Sequence, residues 1–589
     1  MERRHVLIGA AAAGAALAVT TPSRRAVAAP PEEVDTAFLE LLTARSDDQV
    51  ADAVDGYSAA LATDSPRSLA RRLRRIATPW TWQDSEHHHD PELVRPMRAI
   101  AQALVDRQHT DGTYDIGNLH SPPDTAFAIQ DICLIWSILT TDDHASTRPV
   151  RLGLQRVIRR ASLALRTGGV HTPNHRWEVC AALARIHQLF PDRHLEARID
   201  QWLAEGIDID ADGMYSERSS TYASEVTNPC LLTMAWALDR PELIEPVRRN
   251  LEATFALLEP NGEVVTVHSR RQDQKSIRDL WWYLLQYREV ALVDQDGRHA
   301  TVVADILDRG TGELGDFLAD VVERPELSAT LPAAEPLPER VSTVLTGSDL
   351  ARHRTGTRTC SVFAGTDHPE VPVIASGLST NPTVATFRSG AAILDSVRLS
   401  PRFFSTGHFR PDELEVLAEG HYRLSSELAV PYHLPLAEQD RRNDGDYALS
   451  NEGRFWAKMD FAKRPKQLVR LRTDVEVLVR DDGLDLDVEL AGAQTSWTME
   501  LCFRPGGTLT GVEALDEPDT YQLVEGTGRY TVGSDVIEFG PGTGSGPAQP
   551  VSMDPGERYT YLNGSLTPDG LRVHLTGTSP TRFTLTIRG

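Results

Sequence analysis

The hydrophobic pattern divides the chain in two. From about residue 33 to 325, apolar residues recur at three- and four-residue spacing, the period of amphipathic helices, over 93–105, 125–139, 150–165, 176–189, 231–238, 243–258 and 277–292. Turns with Gly, Pro, Asp or Asn separate these runs, among them Pro191-Asp192, Arg240-Pro241 and Glu259-Pro260-Asn261-Gly262. So many helix pairs cannot share one small bundle core. The pattern therefore predicts an (α/α) toroid of helical hairpins over 33–330.

Beyond a proline-rich linker at 331–340, the period shortens to two. Alternating segments occupy 359–364, 384–388, 391–397, 467–479, 484–490, 497–503, 530–536, 571–576 and 583–587, with Asp481-Asp482-Gly483 and Pro568-Asp569-Gly570 as hairpin-type turns. An antiparallel β-sandwich over 341–589 is the expectation, which makes the whole an α+β multidomain chain.

Residues 1–28 stand apart from both regions. Arg3-Arg4 precede an Ala-rich apolar run, and Ala26-Val27-Ala28 supplies an A-x-A cleavage pattern, so an export signal of the twin-arginine kind is expected, with a Sec signal as the alternative. No later run approaches the roughly 20 apolar residues that cross a bilayer. The expected destination is secretion, without membrane association once the signal is removed.

Composition narrows the partners. The chain has 589 residues, 41% hydrophobic and 24% charged, a globular balance sized for about two to four domains. Its formal charge is −24, from 60 Lys+Arg against 84 Asp+Glu; without residues 1–28 it becomes 56 against 83. Such a field disfavours nucleic acid, although an anionic substrate in a locally basic cleft stays compatible with it. The five cysteines are odd in number, far apart and without a C-x-x-C pair, and read as buried thiols, with one disulfide as an alternative.

Three polar clusters interrupt the regular pattern. Thr172-Pro173-Asn174-His175-Arg176-Trp177-Glu178 opens an apolar helix, where Asn174 also suits a cap. Asp212-Gly213-Met214-Tyr215-Ser216-Glu217-Arg218-Ser219-Ser220-Thr221-Tyr222 leads into another helix, and its Glu217-Arg218 pair also reads as solvated. Thr406-Gly407-His408-Phe409-Arg410-Pro411-Asp412 lies in the β region. Singly each is ordinary. Their order and domain placement resemble the heparinase II/III-like polysaccharide lyases, which join an (α/α) toroid to a β-sandwich and cleave uronate polysaccharides by β-elimination.

The resemblance implies an acidic polysaccharide as substrate and no required cofactor. Asn174 and His175 would neutralise the uronate carboxylate so that charge developing beside C5 is stabilised, with Arg176 as an electrostatic helper. Tyr222 would protonate the leaving oxygen at C4 and, in a syn elimination, also remove the C5 proton; His408 would serve the opposite epimer. Tyr215, Glu217 and Arg218 are further site candidates. The family's second histidine before the Asp is absent here, where Phe409-Arg410-Pro411 intervene.

Other stretches add substrate-binding candidates. Asn118 and His120 are placed at the toroid mouth, Trp177 as a sugar-stacking ring or core residue, and His268, Arg270, Arg271 and Arg410 near the clusters as a grip on a polyanion. A structural zinc or calcium ion in the sandwich, drawing on Asp412, His421, His433 or Asp444, is an option the spacing does not favour. His87-His88-His89-Asp90 reads as a flexible loop rather than a metal site. Two other functions stay open: a toroid glycoside hydrolase using Glu217 and Asp124, and a carbohydrate-binding protein without catalysis. The uronate epimer, endo or exo action and oligomeric state are open.

Overall fold

The computed structural model describes residues 31, 33–368, 374–454, 456–544, 550–561 and 569–589. The expected export signal lies outside them. Among the described residues no helix is long and apolar enough to cross a membrane.

The N-terminal region is a ring of helices in two shells. Pro66–Thr81, Pro122–Asp142, Pro173–Leu189 and Asn228–Leu238 pack one against the next, while Val94–Arg107, Arg148–Thr167 and Arg193–Leu203 lie outside them. Sequence explains the layering. Arg148–Thr167 buries one stripe, Val150, Leu154, Val157, Ile158, Ala161 and Leu165, and turns its arginines outward. Pro122–Asp142 is buried nearly all round, as an inner helix must be. The ring closes where Val34 bridges Ala329, Asp35 N–H donates to Ser328 at 2.8 Å, and the buried Arg288 reaches Asp35 at 3.1 Å.

Several boundaries differ from the sequence expectation. The run over 277–292 splits into a short strand Arg278–Asp279, a 3-10 turn Leu280–Tyr283 and the helix Leu284–Asp294. The strand pairs with Glu263–Val264 and draws this segment out of the helical register. The helix expected from 231 begins at Asn228 and is preceded by a π turn, Ala223–Thr227, which directly follows Tyr222.

The C-terminal region is two facing sheets, antiparallel except where Thr520–Gln522 runs parallel to Leu571–Thr578. The eight-stranded sheet runs Leu414–Ala418, His421–His433, Lys466–Arg480, Gly483–Gly492, Thr581–Arg588, Asp535–Gly540, Gly528–Val532, Thr508–Thr510. The nine-stranded sheet contains Leu571–Thr578, Ser496–Phe503, Ala392–Pro401, Ala385–Ser389, Arg358–Phe363, Leu350–Thr355 and Arg340–Leu345 in that spatial order, with Thr520–Gln522 and Glu513–Ala514 beyond Leu571–Thr578. Alternate residues such as Val475, Val477, Leu486, Val488, Leu399, Leu501 and Leu575 fill the space between. Asp481-Asp482 forms the two-residue turn between strands paired at Arg480 and Gly483. All five cysteines are buried and free.

The two regions share a continuous seam. Leu345, Leu350 and Phe363 of the sandwich belong to the toroid's apolar core. Beside them Arg352, 1% exposed, donates to Glu259 at 2.9 Å, to Ser361 Oγ at 2.6 Å and to the Ala256 carbonyl at 3.2 Å. Arg388 and Arg504 reach Glu263 at 2.8 and 2.6 Å. Three sandwich arginines thus grip the Glu259–Glu263 turn of the toroid, burying charge only because each is paired.

Candidate active site

Two toroid loops and one helix start build the site. Gly213 (φ +86°) makes the first loop's turn, and a Cβ there would meet the Arg249 carbonyl oxygen at 2.3 Å, so only glycine lets the loop pack on the helix Ile244–Leu257. The loop then runs to Ser219, whose Oγ caps the Tyr222 N–H at 3.0 Å. Asp273, from the second loop, accepts from Ser219 Oγ at 2.7 Å, from the Thr221 N–H at 3.1 Å and from Ser269 Oγ. This buried carboxylate ties both loops together. Neither Asp273 nor Gln272 is singled out by sequence, because Ser219, Thr221 and Tyr222, which they hold, lie about fifty residues upstream and no local motif marks them.

At the meeting point, Asn174, Glu217, Tyr222 and Arg271 form one connected group. Asn174, buried in the first turn of Pro173–Leu189, donates its amide to both oxygens of Glu217 at 2.8 and 2.7 Å. Arg271 lies 3.5 Å from Glu217, stacks 4.6 Å from the centre of the Tyr222 ring and donates to the Tyr222 hydroxyl at 3.2 Å. That hydroxyl in turn donates to Gln272 at 3.4 Å. Burial pushes the Glu217 carboxyl up, against the opposing pull of Asn174 and Arg271.

His175 extends this group. Its ring meets His171 edge-on at 4.8 Å and Phe127 at 6.0 Å, and Arg67 stacks on Phe127 at 4.0 Å. Burial, with the neighbouring His171 second, lowers His175 to about 4, so it is a neutral imidazole at neutral pH. Nδ1 of His175 and Oδ1 of Asn174 are buried without a protein partner. The His175 ring and the Arg271 guanidinium can donate hydrogen bonds to an anion, the free Asn174 Oδ1 can only accept, and the Tyr222 oxygen can move a proton. Arg67 and Phe127 had no sequence signal beyond ordinary helix pattern.

The other candidates are dispersed, each for a physical reason. Trp177 is 1% exposed and is core, not a sugar platform; Arg176 stacks on it at 4.7 Å and is held by Asp208 at 2.8 Å. Tyr215 is buried because its hydroxyl finds Asn228 at 2.8 Å inside the core. Arg218 donates to the carbonyls of Gly365 at 3.2 Å and Gly347 at 2.5 Å, and Arg270 is bidentate to Asp367 at 2.9 and 2.8 Å, so both serve the domain seam rather than a polyanion. Asn118 and His120 sit exposed on a β-hairpin, Tyr114–Ile116 with Asn118–Ser121, where Asn118 holds Asp124 at 2.9 Å. Ser121 caps the following helix, accepting from the Asp124 N–H at 3.2 Å.

His408 and Arg410 are buried in the sandwich. His408 lines a cavity of about 390 Å³ with Arg398, Glu500, Arg572 and His574, among the described residues all from the β region. Arg410 stacks on Tyr559 at 3.4 Å. His421 and His433 are the two ends of one 13-residue strand, which at about 3.3 Å per residue puts them roughly 40 Å apart, beyond any shared ion. Among the described residues no trio of metal-ligating side chains within mutual reach lies in the sandwich. The expected flexible histidine loop is packed: His89 stacks on His88 and holds Asp142 at 2.8 Å.

His268 is fully buried, with both ring nitrogens unpartnered, beside the charges of Arg218 and Arg352. Burial lowers it from 6.5 to about 3. The unfolded chain therefore takes up this proton first: its contribution is fully present above pH 6.5 and is lost as pH falls toward 3. At pH 5 the loss is about 2 kcal/mol. Urea midpoints at pH 7.5 and 5 are expected to drop less in His268→Gln than in the parent; equal drops would refute this assignment.

The fold is an (α/α) toroid joined to an antiparallel β-sandwich, and it is shared with solved polysaccharide lyases. Heparinase III matches with a TM-score of 0.53 at 12% identity, over 88% of this chain and 76% of that one. The chondroitin AC lyase of Streptomyces coelicolor, solved with chondroitin sulphate, matches at 0.52 and 13% identity, over 94% and 82%. A Paenibacillus xanthan lyase matches at 0.53 and 11%, over 94% of this chain and 57% of its own. No family model matches the sequence, and no curated protein matches it.

Proposed function

We propose that the chain is an exported lyase that cleaves a uronate-containing polysaccharide by β-elimination. The observation that carries this reading is the Tyr222 hydroxyl, half-buried and held between Arg271 and Gln272, beside the Asn174–Glu217 pair and neutral His175. The shared fold with solved lyases supports it.

In this reading the uronate carboxylate docks against the His175 ring and the Arg271 guanidinium, which oppose charge developing beside C5, with Asn174 holding Glu217 next to them. Tyr222 takes the C5 proton and gives a proton to the departing C4 oxygen, the C5–H electron pair forming the C4=C5 double bond as the C4–O bond breaks, and Arg271 puts a positive charge where phenolate charge would develop. Glu217 orients Asn174. His408 has no part in this scheme.

The test is a panel of defined uronate polymers followed by ultraviolet absorbance and mass analysis. Conjugated, unsaturated uronate ends are the expected product, and Arg271→Ala is expected to slow their formation about 100-fold. Cleavage that adds water and yields saturated ends would replace the lyase by a hydrolase.

A further inference from the structure

The hairpin at the toroid surface carries a group of side chains that the proposed reaction does not use. His109, Asp115 and His120 place one ligand atom each within 4.8 Å of one another. His109 Nε2 is 3.0 Å from Asp115 Oδ1, and the two imidazoles stack with centres 4.1 Å apart. Asp111 takes Nδ1 of His120 at 2.9 Å and is itself fixed by the Thr113 N–H at 3.0 Å and Thr113 Oγ1 at 2.7 Å. A carboxylate on one ring nitrogen sets the tautomer and leaves the other nitrogen's lone pair for an ion.

The group is built on a firm base. Tyr114, in the same hairpin, is fully buried, with its hydroxyl on the Leu104 carbonyl at 2.8 Å and its N–H on Thr125 at 2.7 Å. His120 adopts φ +47°, a conformation costly for a side chain of its size, and its N–H is held by Asp115 at 2.6 Å. Asp111 and Asp115 are each paired with one of the two histidines, Asp111 with His120 at 2.9 Å and Asp115 with His109 at 3.0 Å. Elsewhere the acids are mostly taken by arginine. Among the described residues the other trio with metal-ligand geometry, Glu252, Asp296 and His299, is such a case: Arg298 already bonds both carboxylates.

We propose that His109, Asp115 and His120 bind a first-row divalent transition ion such as zinc, with Asp111 orienting His120 from behind and water completing the coordination. Two imidazoles and one carboxylate select this class over calcium or magnesium, which prefer all-oxygen sites. Three protein ligands on an exposed hairpin leave the site open on its solvent side.

The test is calorimetric titration of zinc into the full-length chain after chelator treatment. A single saturable site is expected in the parent and in a His88→Ala/His89→Ala control. It is expected to vanish in His109→Ala/His120→Ala and to weaken about 10-fold or more in Asp111→Asn. All four side chains are at least partly exposed, and circular dichroism and melting checks the fold of each variant; Asp115→Asn serves as a second ligand variant if the double variant is destabilised. No saturable binding in the parent, unchanged binding without His109 and His120 or without Asp115, or loss only in the His88/His89 control, each overturns the proposal.

Discussion

A Tyr222→Phe chain is expected to fold as the parent does and to lose about three orders of magnitude in the rate of unsaturated-product formation. The substitution removes one oxygen and little else. The ring stays under Arg271, the Ser219 cap uses the backbone N–H, and the helix that follows is untouched. What disappears is the atom that Arg271 and Gln272 hold in place, which is the proton carrier of the proposed elimination. The loss should fall on kcat more than KM, since the docking groups remain. Glu217→Gln separates the competing chemistry. A hydrolase needs that carboxyl to exchange a proton, whereas here it positions Asn174. Full loss in Glu217→Gln with Tyr222→Phe within about 10-fold of the parent would sink the lyase mechanism.

The second large effect concerns stability. Arg352→Met is expected to destabilise the chain by about 3–5 kcal/mol, read as a lower urea midpoint, because Glu259 then keeps its charge in a buried seam with a partner removed. Arg388 at 3.4 Å and Thr359 at 2.6 Å still contact Glu259, so the double change Arg352→Met/Glu259→Gln should recover part of the loss. A midpoint unchanged in the single variant would show that the seam's ion pairs carry no net stability.

The division into toroid and sandwich could be read from periodicity, since a 3.6-residue and a two-residue repeat leave different apolar spacings. Asn174, Glu217 and Tyr222 were legible because each sits in a local motif at an element boundary. The rest depended on long-range partners. Tyr215 and Trp177 share the polar motifs' sequence but turn inward, where Asn228 satisfies one hydroxyl and Arg176 covers the other ring. Arg218 and Arg270 resemble a polyanion grip until the sandwich supplies Gly347, Gly365 and Asp367 as their partners. Residue type announced positive charge; only tertiary packing decided which charges stay free for a substrate.

The π turn at Ala223–Thr227 sets a phase between the site and the core. A π turn holds one residue more than the α-helical turn it replaces, and one residue is worth about 100° of rotation about a helix axis. Downstream, Cys230, Leu231, Leu232 and Met234 keep the register that buries them. Upstream, Tyr222 is rotated by that amount relative to a regular helix. The aim of the reactive hydroxyl is therefore written as a residue count rather than a residue type. Deleting a single residue between 223 and 227 would give a more regular helix whose tyrosine points elsewhere.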